Sequence, residues 1–174
     1  MLDLFEPKQV RKRLVFNSLF IMAYEQMLFG WRDNIVCLLS TFEIADGKVV
    51  EDGKTKRLFK HSKQVFDWLE NNNLMTKEQR EILDGIRNRR NQLVHECTLM
   101  FSDIPDEDKV YFQRLIEIRK EVNKKWFVEI EIPIRTPEEN AIFLNEDGEF
   151  VPPTEVEDVA DIYFNTLKEI ALAD

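Results

Sequence analysis

From Pro7 to about Phe42 apolar side chains recur at the three- and four-residue intervals of a helix. Val10, Leu14, Leu19, Phe20, Ala23 and Met27 carry the pattern, and Ile35, Leu38, Leu39 and Phe42 resume it after Gly30. What such a stretch can fold into is narrow: one long helix, or two nearly collinear ones with Gly30 as the weak point. Pro7 suits a first helical turn, where its missing N–H would have no partner anyway.

The pattern continues in kind. Residues 46–57 hold two Asp-Gly-Lys triplets and no helical period, which predicts a loop. A second helix is expected from about Leu58 to Glu70, with Phe59, Val65, Phe66 and Leu69 on its apolar side and three asparagines, Asn71 to Asn73, ending it. Thr76 and Gln79 have the spacing of a capping box and open a third helix running to about Met100. Pro105 and the acids Asp106, Glu107 and Asp108 start a fourth, which carries Tyr111, Phe112, Leu115, Ile116 and Val122 to about Lys125. The period then changes. Val128, Ile130, Ile132 and Ile134 alternate with polar residues or proline, and Asn145 to Gly148 reads as a turn between 141–144 and 149–151. That predicts a small β-hairpin near residues 127–151. A last amphipathic helix, about 155–171, uses Val156, Val159, Ile162, Tyr163, Leu167 and Ile170. The expected fold is therefore mainly all-α: an up-and-down bundle of about five helices in one domain, 1–174, with 127–174 as a hairpin-plus-helix extension.

Composition agrees with a single packed domain. The 174 residues are 44% hydrophobic and 33% charged, with 13 Phe against 5 Gly and 6 Pro, which excludes a disordered or low-complexity chain. Trp31, Trp68 and Trp126 are expected as packing anchors. Cys37 and Cys97 lie in apolar runs and read as small buried hydrophobes. The N-terminus lacks the order of a signal peptide and no apolar stretch reaches membrane-spanning length, so the expectation is a soluble, cytoplasmic protein without a membrane partner.

Net charge is −9, but it is unevenly spread. Residues 1–128 hold 22 Lys and Arg against 20 Asp and Glu, a net of +2, and residues 129–174 hold 2 against 13, a net of −11. The acidity belongs to the C-terminal quarter, and the rest has room for a local positive patch.

Chemistry concentrates in the third helix. At 100° per residue, Ile82, Leu83, Ile86, Leu93, Val94 and Cys97 share one arc, and Arg90 falls inside it. A guanidinium on an apolar arc needs a partner: a ligand, a second subunit, or a carboxylate on a neighbouring helix such as Glu25 or Asp33. Arg87, Asn91 and His95 follow at i, i+4 steps as a polar stripe beside it.

The run Arg90-Asn91-Gln92-Leu93-Val94-His95 resembles the Arg-polar-x-x-x-His signature of HEPN domains, the higher eukaryote and prokaryote nucleotide-binding domains. The resemblance implies a helical bundle with the motif late in a long helix. It also implies a metal-independent RNA endonuclease of the toxin or antiviral-defence kind, acting as a homodimer whose two motifs share one cleft. Arg90, Asn91 and His95 then become the catalytic set, with RNA as substrate and a cognate antitoxin or regulatory protein as a possible partner. Cys97 stands where members paired with a nucleotidyltransferase have a tyrosine, so control by modifying that tyrosine is not expected.

The residue types suit that chemistry. Cleavage of RNA at its own 2′-OH needs a group that titrates near neutral pH, which histidine supplies, and a fixed cation where phosphate charge develops, which suits Arg90. Asn91 would orient the imidazole or hold a phosphate oxygen. Arg87, Arg89, Lys54, Lys56 and Arg57, with Lys60 and Lys63 continuing the run, are the candidate RNA-binding cations. His61 and His95 are the chain's two histidines and make no zinc site, and no glycine-rich phosphate loop or nucleophile elbow is present, so no metal or cofactor is expected. Two other readings stay open: a catalytically silent HEPN-like bundle that binds a nucleotide or a protein, and a plain helical scaffold in which Arg90 and His95 are structural.

Overall fold

The computed structural model describes residues 6–45, 58–96, 98–99, 102–143, 164–167 and 169–170. Helix α1, Pro7–Ala45, runs unbroken through Gly30, so of the two arrangements the sequence allowed, the chain adopts the single helix. Three further long helices follow: α2 at Ser62–Asn71, α3 at Lys77–His95 and α4 at Asp106–Trp126. Local chemistry marks the starts of α3 and α4. Thr76 Oγ1 accepts from the Gln79 amide at 3.1 Å while Gln79 Oε1 accepts from the Thr76 amide at 2.8 Å, which is the expected capping box. Asp106, Glu107 and Asp108 place negative charge on the first turn of α4. Asn73, at φ 60, turns the chain out of α2.

Side-chain pairs fix the register. Phe16 and Phe20 of α1 meet Phe112 of α4 at ring-centre distances of 5.8 and 6.2 Å, and Trp31 Nε1 donates to Asn123 Oδ1 at 2.8 Å further along both helices. Helices α1 and α4 are therefore parallel. Helix α3 runs antiparallel to both, with Arg90 opposite Glu25 of α1, and Gln79 and Arg89 opposite Glu121 and Asp108 of α4. The core lies between these helices and α2. Phe16, Phe20, Ile35, Phe66, Leu69, Leu83, Ile86, Leu93, Phe112 and Leu115 are all but fully buried, each such side chain contributing about 1.5–3 kcal/mol.

Two sequence expectations fail here. Among the described residues there is no strand, and the β-hairpin is not formed. No glycine or proline follows Trp126 before Pro133, so α4 passes directly into a π-helical turn, Phe127–Glu131, and a last α turn, Ile132–Ile134. The Ile132 amide bonds back five residues to Phe127, widening the helix just before Pro133, whose ring crowds the carbonyl four residues back. Val128 and Ile132, like Ile130 and Ile134, are also i, i+4 pairs, so the alternation was compatible with a helix throughout. Residues beyond Ile134 fold back onto this turn: Phe143 sits edge-on to Phe127 at 5.3 Å, and the Arg135 guanidinium lies over both rings. Residues 141–143 are 3₁₀-helical, and the expected turn at 145–148 lies outside the described residues. The second failure is Cys37, which is exposed on α1 rather than buried.

Near the C-terminus, the described residues 164–167 and 169–170 are helical, as expected. Phe164 and Leu167 are buried there while Ile170 is exposed, and Arg119 of α4 stacks over the Phe164 ring at 4.3 Å. Val156, Val159, Ile162 and Tyr163 lie outside the described residues.

The unbroken α1 yields a clean test. A Cβ at Gly30 meets no atom within 4 Å, so Gly30→Ala gains helix propensity without steric cost. It should stabilise the protein by about 0.5–1 kcal/mol, read as a rise of roughly 2–4 °C in thermal midpoint.

Candidate functional site

Helix α3 is held from two directions by consecutive arginines. Arg89 Nε and Nη2 both bond the carboxylate of Asp108, with contacts of 2.8–3.0 Å, and Asp108 is 3% exposed. One residue on and about 100° around the helix, Arg90 pairs with Glu25 of α1. Glu25 is one of the two partners the sequence offered for this arginine, and the guanidinium on the apolar arc is thereby neutralised. Asn91 Oδ1 accepts from Arg90 Nη1 at 2.9 Å, so the motif's first two residues form one hydrogen-bonded unit. Arg90 Nε is buried and has no acceptor among the described residues.

His95 is the last residue of α3 and is exposed. Val94 beside it is 40% exposed, against the expectation that it would join the buried arc, whereas Leu83, Ile86 and Leu93 are buried as expected. In this final turn the buried side of α3 is the one carrying Leu93, which is 1% exposed, and Val94, one residue on and about 100° around the helix, lies outside it. Arg87 is partly exposed and bonds Asp84 at 2.9 Å. Asp84 also accepts from Arg80, which bridges to Asp67 of α2, so this side of α3 carries a chain of alternating charge.

The structure thus brings Arg90 and Asn91 into contact, sets His95 five residues on along the same helix, and places Arg87 one turn before Asn91. Arg89 faces the other way and its guanidinium is occupied by Asp108. Lys54, Lys56 and Arg57 lie outside the described residues. Among the described residues no three His, Cys, Asp or Glu side chains gather as a metal site would require.

One neighbour escaped the sequence reading. Tyr24 of α1 is 2% exposed, and burial raises its phenol above the usual range while Ser62, Arg87 and Arg90 pull the other way. A tyrosine at a core position of α1, four residues after Phe20, was the available signal. Its hydroxyl is a buried polar atom without a hydrogen-bond partner among the described residues, within electrostatic reach of Arg87 and Arg90.

No known family model, curated protein or solved structure matches the chain. Among the described residues, no helix is long and apolar enough to cross a membrane.

The two ion pairs of α3 should differ sharply in weight. Asp108→Ala leaves a mostly buried guanidinium without its carboxylate and should cost about 3 kcal/mol or more in urea unfolding. Glu25 is 45% exposed at its side chain, and Glu25→Gln should cost no more than about 1 kcal/mol. Equal costs for the two would remove Arg89–Asp108 from its structural role.

Proposed function

We propose that the protein is a HEPN-like, metal-independent RNA endonuclease that acts as a homodimer, of the toxin or defence-effector kind. The observation that carries this is the Arg90–Asn91 unit set beside an exposed His95 on one rigid helix. Arg90 supplies a guanidinium whose position is fixed by Glu25 and Asn91, and a phosphate oxygen that displaces or shares Glu25 would meet a planar fork of donors. His95, free to meet substrate, accepts the proton of the ribose 2′-OH. The 2′ oxygen attacks phosphorus, the bond to the 5′ oxygen breaks, and the departing oxygen takes a proton from the His95 imidazolium or from water. Arg90 offsets the charge that gathers on the non-bridging oxygens. Arg87 adds attraction for the backbone, and Lys54, Lys56 and Arg57 remain candidates for the same task.

One feature supports the dimer: Val94 presents apolar surface directly beside His95. A second copy packed against the end of α3 would cover it and place two motifs at one cleft.

The chemistry is open to direct test. Cleavage of single-stranded RNA should proceed in EDTA and leave 2′,3′-cyclic phosphate and 5′-hydroxyl ends, and a deoxyribose at the cut site should block it. His95→Ala and Arg90→Ala should each lower the rate by roughly 10²-fold or more. Light scattering should report twice the 20.7 kDa chain mass. Activity that survives His95→Ala, or that EDTA abolishes and Mg²⁺ restores, would sink the assignment and favour a silent bundle that binds a nucleotide or a protein.

A further inference from the structure

A pocket opens between α1 and the start of α2, with Glu25, Phe29, Arg32, Lys60, His61 and Ser62 in its lining. Phe29 is 54% exposed, an aromatic ring left in solvent on a helix whose Phe16, Phe20, Tyr24 and Trp31 are buried. The Arg32 guanidinium lies 5.1 Å from its ring centre, and the nearest carboxylate it meets, Asp33, is 3.8 Å away. Lys60 and His61 are exposed and form no ion pair among the described residues. The pocket's acid, Glu25, is already neutralised by Arg90. In a chain of net charge −9, this is a small positive, aromatic-edged hollow.

We infer that this pocket seats one nucleotide of a single-stranded RNA, with its base stacked on Phe29 and its phosphate held by Arg32, Lys60 and Ser62. The inference rests on the RNA-cleaving reading and names where the substrate strand is gripped. An exposed ring beside cations is the arrangement that holds unpaired bases, since stacking needs a free base face that a duplex does not offer. The register gives the strand its direction. Helices α1 and α3 are antiparallel with Glu25 opposite Arg90, so Phe29 and Arg32, further along α1, lie on one side of Arg90 along the bundle axis and His95 on the other. Glu25 belongs to both places: it lines the pocket and holds the motif arginine. A strand gripped at Phe29 therefore continues over Arg90 toward His95.

The test is binding, read in the full-length His95→Ala protein so that cleavage does not intervene. Fluorescence anisotropy with a labelled single-stranded oligoribonucleotide, across a salt series, is compared with the same sequence as duplex. Added Phe29→Ala should weaken single-strand binding roughly tenfold, and Phe29→Trp should retain it. Lys60→Ala should weaken binding and flatten the salt dependence by about one ion. Duplex RNA should bind more weakly than the single strand. All three side chains altered are exposed, and thermal melts of each variant should match that of the parent. Phe29→Ala and Lys60→Ala that bind within twofold of the parent, with an unchanged salt slope, would overturn the pocket while leaving RNA cleavage at the motif intact. Failure of the parent to bind any RNA would overturn both readings together.

Discussion

Arg89 meets Asp108 edge-on through two guanidinium nitrogens at a site almost closed to water, and the rest of the bundle is phased by that contact. A bidentate pair tolerates little rotation, because both N–H···O bonds must stay aligned at once. With Arg89 turned toward α4, the 100° step of the helix turns Arg90 toward α1, where Glu25 receives it. The pair acts more through direction than through net energy, since a buried ion pair gains little over an apolar substitute but loses much when one partner is removed. Helix α3 is thus a spine gripped on two sides, and its polar residues are sorted between a structural edge and an open one.

The open edge is where function is proposed. Arg90 and Asn91 stand together near the α1–α3 seam, Tyr24 is buried beside them, and His95 ends the helix in solvent. Each neighbour limits the freedom of Arg90: Glu25 holds one nitrogen, Asn91 another, and packing the stem. A cation preset in this way costs little reorganisation when charge develops near it, which is the condition electrostatic catalysis requires. The pocket at Phe29 lies between α1 and the start of α2, and the suggested grip and the suggested chemistry share one acid, Glu25.

Much of this was legible from residue spacing. Helical recurrence along α1, the Thr76–Gln79 box and the acidic start of α4 rest on interactions within a few residues, and they appear in the structure as read. Glu25 was one of the partners the sequence offered Arg90, beside Asp33, a ligand or a second subunit, and only the packed registers selected it. The alternating Val128–Ile134 run misled, since its two-residue period contains four-residue pairs and only the uninterrupted approach from Trp126 chose between them. Cys37 and Val94 misled for another reason: each is exposed beside a buried neighbour, Val36 and Leu93, and which side of a helix its partners cover is set by tertiary packing.

By itself the sequence determined the helical class of the chain, the starts of α1, α3 and α4, the polar stripe of α3 and the concentration of acid in the last quarter, because each follows from local spacing and charge. Tertiary structure decided which arginine is structural and which faces the seam. Adjacent in sequence and identical in chemistry, Arg89 and Arg90 are separated only by the helices they meet: Asp108 on α4 closes around one, and half-exposed Glu25 on α1 leaves the other within reach of solvent. No local signal carries that difference, since it depends on two antiparallel registers that form only when the core is packed.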